Sequence, residues 1–311
     1  MVDYTIGITD ASPIDNPRLL ASRFTPFVSG DISKRVDPKS VLPEAESIIV
    51  VCVPYEMEYA YSNLSSLGVC DDYHKKVHNI LQAIVKKLAE IHGNFNFKIL
   101  VDSPALCERS LVVRAGLGYF GKNGLLISPE FGSRVNIGVM LTGIPFNAAC
   151  SSLWLRQETT PFANALRAKR ERGSFLQQGL QKPELESVAI EGCPPNCGLC
   201  IKACPNGAIS EGKPLDAGKC ISYLTQKDIL TAAEEKLLHG QLYGCDICQN
   251  VCPKNNIHET SYVSPSSILK FSDDEVIERF KHTAMNWKIN LLKRNALISA
   301  EISNHHTLST I

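Results

Sequence analysis

Twelve cysteines run through this 311-residue chain, and eight of them fall between positions 193 and 252. Two stretches repeat one spacing, Cys197-x2-Cys200-x3-Cys204-Pro and Cys245-x2-Cys248-x3-Cys252-Pro. Thiolates are soft donors that suit iron and zinc alike, so arrangement decides between them. Zinc sites use two separated CxxC pairs, or cysteine with histidine. Three closely spaced cysteines ending in Cys-Pro, with a remote fourth, belong to cubane clusters. The spacing therefore points to two [4Fe–4S] clusters, with structural zinc as the alternative. Cys193 and Cys220 complete two sets of four. In two-cluster ferredoxins the last cysteine of each run serves the other cluster. That rule assigns Cys193, Cys197, Cys200 and Cys252 to one site, and Cys204, Cys220, Cys245 and Cys248 to the second. Three residues, rather than two, lie between Cys193 and Cys197, an extra residue that a loop can absorb.

The remaining cysteines carry weaker signals. Cys52 lies in an apolar strand and reads as a small core residue, and Cys70, Cys107 and Cys150 are isolated and read as structural. Gly116-x-Gly118-x-x-Gly121 matches the dinucleotide fingerprint by letter. That chemistry needs a strand before the glycines and a helix after them. Here "ERSLVVRA" reads as helix and "LLISPEFGS" as an extended loop, so a glycine loop that approaches some other large ligand is the better reading.

These groups need a scaffold. Residues 4–9, 47–55, 95–102 and 135–142 are short β-rich apolar runs bounded by turn residues. Between the second and third, Val77, Ile80, Leu81, Ile84, Leu88 and Ile91 recur at helical intervals before Gly93. Strands alternating with helices predict an α/β (α+β) fold: a sheet-and-helix domain over 1–148. A ferredoxin-like double-cluster domain over 189–262 and a helical tail over 263–311 follow, the tail opening on a Ser272–Glu275 capping box. Residues 149–188 show no strand signal and read as an inserted helical arm.

Composition limits the partners. The chain holds 32 basic and 32 acidic residues, so nucleic acid would have to meet a local basic patch. Candidates are Arg167, Lys169, Arg170 and Arg172 in the arm, and Lys293 and Arg294 in the tail. No apolar run is long enough to span a bilayer, and the amino terminus lacks the pattern of an export signal. A cytoplasmic protein without disulfides is expected.

Several stretches together are similar to the epoxyqueuosine reductase family: "SKRVDPKSVLPEAESIIVV", "DDYHKKV", "VDSPALCERSLVVRAGLGYFGKNGLLISPEFGS", the first cysteine run, "KCISYLT", "YGCDICQNVCPKN" and "KINLLKRNALIS". The resemblance implies a cobalamin-dependent iron–sulfur reductase. Such an enzyme removes the epoxide oxygen of epoxyqueuosine in the wobble position of tRNA, consuming two electrons and two protons and releasing water. It also implies that Asp102 is the proton donor and adjoins cobalamin, needing a raised pKa for that role. Arg35, Asn123, Ser222 and Asp246 match positions that line the corrin, and Lys122 either faces it or faces solvent. Glu108 and Arg109 read as a structural ion pair. Implied partners are epoxyqueuosine-bearing tRNA and a one-electron donor such as flavodoxin or ferredoxin, with the protein a monomer and no membrane contact.

The chain departs from the family pattern in three places: "SSLGVCD" before "DYH", the 149–188 arm, and the missing helical-repeat domain after the tail. Two other readings accompany the tRNA enzyme. One is a dehalogenase-like cobalamin and iron–sulfur reductase of a small molecule, against which Asp102 argues, since tyrosine is expected as proton donor there. The other is an electron-transfer or corrinoid-handling module.

Overall fold

The computed structural model of the chain describes residues 4–15, 32–55, 60–146, 192–256 and 259–308. The arm at 149–188, with Cys150, Arg167, Lys169, Arg170 and Arg172, lies outside them. The strands, in chain order, are β1 (Thr5–Asp10), β2 (Ser47–Pro54), β3 (Ala60–Tyr61), β4 (Phe97–Val101), β5 (Tyr119–Phe120), β6 (Leu126–Ile127), β7 (Val135–Thr142) and β8 (Thr260–Ser261). The helices that matter for the site are α1 (Tyr73–His92), α2 (Glu108–Arg114), α3 (Leu199–Ala203), α4 (Ile247–Asn250), α5 (Asp273–Phe280) and α6 (Leu291–Leu308).

The four apolar runs form one sheet in the order β1-β2-β7-β4. Every pairing in it is antiparallel, with Val50 opposite Val139 and Leu100 opposite the same residue across the other edge. The α/β texture holds, but alternation of elements does not give strand direction. β7 sits between β2 and β4 although it comes last of the four.

β2 is buried along almost its whole length because both faces of the sheet are covered, which is why it reads as a continuous apolar run. Ile49, Val51 and Val53 face Val77, Leu81 and Leu88 of α1. Ile48, Val50 and Cys52 face Leu106, Leu111 and Ala115 around α2. Each fully buried aliphatic side chain of this kind contributes roughly 1.5–3 kcal/mol. Asp72 caps α1 through the His74 amide, and the helix stops at Gly93 as its periodicity predicts. Cys52 is a core residue whose thiol burial pushes up to about 12.

A second part of the chain is woven into the first. Residues 60–70 leave the sheet and lie against the segment 241–263. β3 pairs in parallel with β8, the Leu242 amide donates to the Asn63 carbonyl (2.8 Å), and the Ser65 amide donates to the Tyr243 carbonyl (2.8 Å). Leu64, Leu242, Tyr243, Ile268, Val276, Met285 and Leu292 make a core of their own there. Ser272 and Glu275 close the expected capping box at the start of α5. In α6, Lys293 pairs with Asp273 (2.7 Å), and the Arg294 guanidinium donates to the Lys227, Asp228 and Thr225 carbonyls. These two cations are spent on the fold and do not form the open basic patch expected of them.

Candidate active site and cluster-binding cysteines

Asp102 ends the sheet's β4 edge and takes a left-handed backbone conformation, φ 48°. An aspartate tolerates that region better than most side chains, yet the strain persists only where surroundings enforce it, which is typical of functional positions. The enforcement is visible. The Ser103 amide donates to Glu108 Oε1 (3.0 Å), the Arg35 Nε donates to the Pro104 carbonyl (2.7 Å), and the Cys107 amide donates to the Arg35 carbonyl (3.2 Å). Tyr73, at the first turn of α1, donates its hydroxyl proton to Asp102 Oδ2 (2.8 Å).

Around Asp102 stand Tyr73, Tyr55, Glu108 and Arg109, each of which feels its charge. Desolvation raises both tyrosines well above their ordinary value, and Asp246 acts on Tyr55 from the other side. Desolvation also raises Glu108 to about 8, with the Asp102 charge adding to it, so Glu108 is mostly protonated at neutral pH. Arg109 is reached by solvent, yet desolvation lowers its pKa. Asp102 is exposed as well, so this group of ionisable side chains is reached by solvent. Glu108 and Arg109 do not form the expected ion pair: Glu108 accepts from the Ser103 amide, and Arg109 donates to the Gly124 carbonyl (2.9 Å).

Glu108 gives a pH prediction. Its folded pKa lies above its unfolded value of about 4.3, so its contribution to stability is complete below that value and disappears as pH rises through about 8. Glu108→Gln should flatten this decline, by on the order of 2 kcal/mol between pH 5 and 9, less than the full shift implies because solvent reaches this group. Parallel pH-dependent slopes in denaturant unfolding of the two proteins would show that Glu108 is not the responsible group.

The eight cysteines gather in two places. Cys193, Cys197, Cys200 and Cys252 line one hollow with Lys122, Asn123, Ile127, Leu199 and Pro253. Cys204, Cys220, Cys245 and Cys248 act on one another electrostatically elsewhere. The crossing has a simple cause: α3 and α4, which carry the CxxC pairs, pack side by side, so the cysteine that ends each run reaches back to the other's site. Among the described residues no three His, Cys, Asp or Glu side chains converge as a single metal ion requires. The sulfurs surround a volume rather than a point, which fits a cubane.

Burial raises Cys245 to about 12 and raises Cys248 further, so free thiolates are disfavoured at both positions. Backbone amides already point at these sulfurs, from Ala208 to Cys204 (3.3 Å), from Ser222 and Tyr223 to Cys220, and from Ile247 to Cys245. The described cysteines are all free of disulfides.

The other expected site residues divide between these places. Asp246 is buried between Cys245 and Cys248, accepting from the Ser66 amide (2.7 Å) and from Gln249 Nε2 (2.8 Å). Gln249 in turn receives the Ser133 hydroxyl, and Asn255 bonds both, which ties α4 to the start of β7. Ser222 stands next to Cys220, its carbonyl accepting from Thr225 and Gln226. Asn123 is buried on the wall of the first hollow, and its Oδ1 accepts from the Leu125 amide (3.1 Å). Lys122 neither joins the side chains around Asp102 nor floats in solvent. It donates to the Pro195 carbonyl (2.8 Å) and pairs with Glu211 (2.9 Å), pinning the cysteine loop.

The glycine motif is accounted for by its own hairpin. Gly116 follows the end of α2, so the helix precedes the glycines, opposite to the dinucleotide order. A Cβ at Gly118 would come within 2.6 Å of the Ile127 carbonyl, and one at Gly121 within 2.6 Å of Asn123 Oδ1. Within the chain these close approaches are to β6 and to Asn123. β6 itself lies in the stretch expected to be a loop, since a two-residue ladder shows no alternation to read. Tyr55 and Tyr73 were not among the expected site residues. The signal for Tyr73 was its place in the "DYH" stretch, whereas Tyr55 looks like the ordinary end of an apolar strand.

Cysteine sets suited to carrying electrons, with a group of ionisable side chains suited to moving protons, make this molecule a two-cluster iron–sulfur oxidoreductase. It is 31% identical over 324 residues to the epoxyqueuosine reductase of Bacillus cereus, an alignment covering 94% of this chain and 75% of the relative. The chain belongs to the epoxyqueuosine reductase family. Residues 35–103 match the family described as epoxyqueuosine reductase QueG, DUF1730, and residues 193–255 match the 4Fe-4S double cluster binding domain. Its fold resembles that of an epoxyqueuosine reductase crystallised with an epoxyqueuosine-modified tRNA-Tyr stem loop, with a TM-score of 0.73, 28% identity and coverage of 96% and 77% of the two chains. The Bacillus subtilis enzyme, solved with its catalytic aspartate loop swung out of the active site, gives a TM-score of 0.70 at 26% identity, covering 96% of this chain and 77% of that one.

Proposed function

We propose that this protein reduces epoxyqueuosine to queuosine in the wobble position of tRNA, with Asp102 as the proton donor. The observation that carries the reading is the strained, solvent-exposed Asp102, held by Tyr73 among other ionisable side chains. Removing the epoxide oxygen would otherwise expel an alkoxide, a poor leaving group, so a positioned acid is needed. Because Tyr73 occupies Oδ2, Asp102 Oδ1 is the oxygen left to carry the proton to the departing atom. Glu108, mostly neutral at pH 7, adds little second negative charge, so the Arg109 guanidinium balances the Asp102 carboxylate and no excess of negative charge repels an anionic backbone.

On this reading Cys193, Cys197, Cys200 and Cys252 hold one [4Fe–4S] cluster, and Cys204, Cys220, Cys245 and Cys248 hold the other. Cobalamin would lie against Asp102, Arg35 and Asp246, with Ser222 and Asn123 at the margins. What supports this placement is an exposed carboxylate at Asp102 beside two desolvated tyrosines, Tyr55 and Tyr73. When bound, low-valent cobalt supplies the two-electron reduction, and the clusters supply electrons singly. Residues 1–148 then form the substrate half and residues 189–262 the electron-carrying half. A flavodoxin or ferredoxin is the electron source, and the enzyme works as a cytoplasmic monomer. Among the described residues no helix is long and apolar enough to cross a membrane.

The test is anaerobic reconstitution with iron, sulfide and cobalamin, incubation with epoxyqueuosine-containing tRNA and a chemical reductant, and mass analysis of the nucleosides. Queuosine, lighter by one oxygen, is expected. Unchanged epoxyqueuosine with fully loaded protein would remove the tRNA nucleoside as substrate.

A further inference from the structure

We infer that the Tyr119 hydroxyl donates a hydrogen bond to a sulfide of the first cluster and thereby raises that cluster's reduction potential; this rests on the cluster assignment proposed above. Tyr119 lies on β5 directly opposite Ile127 of β6. Directly opposed residues of an antiparallel pair project from the same face, and Ile127 lines the hollow of Cys193, Cys197, Cys200 and Cys252. Tyr119 therefore points to the same side.

Two independent observations place its polar end there. The hydroxyl oxygen is shielded from solvent and, among the described residues, has no hydrogen-bond partner. Its electrostatic neighbours are three cysteines of this one set, Cys193, Cys252 and Cys197. A buried phenol without a partner carries a desolvation cost, and native structures rarely leave one so. Among the described residues no side chain of the wall, cysteine sulfurs included, accepts from it, so the acceptor left to it is an electron-rich sulfide of the cluster that the four cysteines hold. Tyrosine is a donor at neutral pH, and a hydrogen bond to sulfur stabilises the reduced, more negative cluster over the oxidised one.

Tyr119→Phe removes one oxygen and leaves the ring. In an anaerobic potentiometric titration followed by electron paramagnetic resonance, the variant should load iron as the parent does. One of the two cluster signals should need a lower potential, with about a tenfold change in its oxidised-to-reduced ratio at fixed potential, about 59 mV for a one-electron couple. The other signal should not move. Incorporating 3-fluorotyrosine at position 119, a stronger donor of the same shape, should move the same signal upward, and it supplies the answer if the phenylalanine variant folds poorly. Unchanged potentials in fully loaded variants overturn the inference while leaving the cluster assignment standing. A parent protein that binds no iron–sulfur cluster overturns both, and iron analysis tells the two failures apart.

Discussion

Asp102→Asn should retain cobalamin and both clusters and lose roughly 10²–10⁴-fold in turnover of epoxyqueuosine in tRNA, the range for a positioned general acid. Asparagine matches aspartate in shape, tolerates the left-handed backbone at φ 48°, and can still accept the Tyr73 hydroxyl through its amide oxygen. What it lacks is the transferable proton. Folding, cofactor content and tRNA affinity should therefore stay near those of the parent while the chemical step collapses. Tyr73→Phe separates the two functions of the pair. It leaves the acid in place but frees Oδ2, so its loss should be smaller, about tenfold, the scale of one hydrogen bond of about 1.4 kcal/mol. Single-turnover rates measured at matched cobalamin occupancy decide the matter. Parental rates for Asp102→Asn would make the aspartate a strand-end residue and move the proton to another donor.

The second large effect concerns metal content. Cys252 sits in the second cysteine run but lines the hollow of Cys193, Cys197 and Cys200. Cys252→Ala should therefore damage the same cluster signal as Cys197→Ala, with iron falling from about eight atoms towards about four. Cys248→Ala should spare that signal and damage the other. An uncrossed arrangement makes the opposite forecast, pairing Cys252→Ala with Cys248→Ala. Iron and acid-labile sulfide analysis with electron paramagnetic resonance of the three variants separates these outcomes. If the wild-type protein instead bound zinc tightly and refused iron–sulfur reconstitution, the spacing argument itself would fall.

The cysteine sets were legible because their chemistry is written in local spacing, and a run such as Cys245-x2-Cys248-x3-Cys252 has few other uses. The strands and α1 were legible for a similar reason, since Ile48–Val53 is one unbroken apolar run and Val77–Leu88 carries its burial in helical periodicity. Pairing was not. β2, β4 and β7 look alike as apolar runs, and nothing local states that β7 lies between the other two. The group around Asp102 was legible only at Asp102 itself. Tyr55 enters it because of where β2 ends relative to Asp246, almost two hundred residues later, and Glu108 is desolvated by tertiary neighbours that its own helix does not reveal. Lys122, Lys293 and Arg294 illustrate the same limit for charge. Sequence shows a cation, while the partner that occupies it, Glu211 or Asp273 or a row of carbonyls, comes from elsewhere in the chain.

The interleaving of residues 60–70 with the segment 241–263 bears on how the protein is made. During synthesis the strap carrying Asn63, Ser65 and Ser66 emerges from the ribosome long before Leu242, Tyr243 and Asp246 exist to receive it. At roughly 5–20 residues per second, that interval lasts on the order of ten seconds or more, with an exposed apolar edge around Leu64 in the meantime. Closing so long a loop is entropically slow. The second cysteine set, with Asp246 anchored on Ser66, can take its final form only after this closure, so cluster insertion belongs to a late stage of biogenesis. Cells short of iron or of cluster-assembly factors would then accumulate a chain whose sheet and strap are already in place and whose second cysteine set is still unfilled.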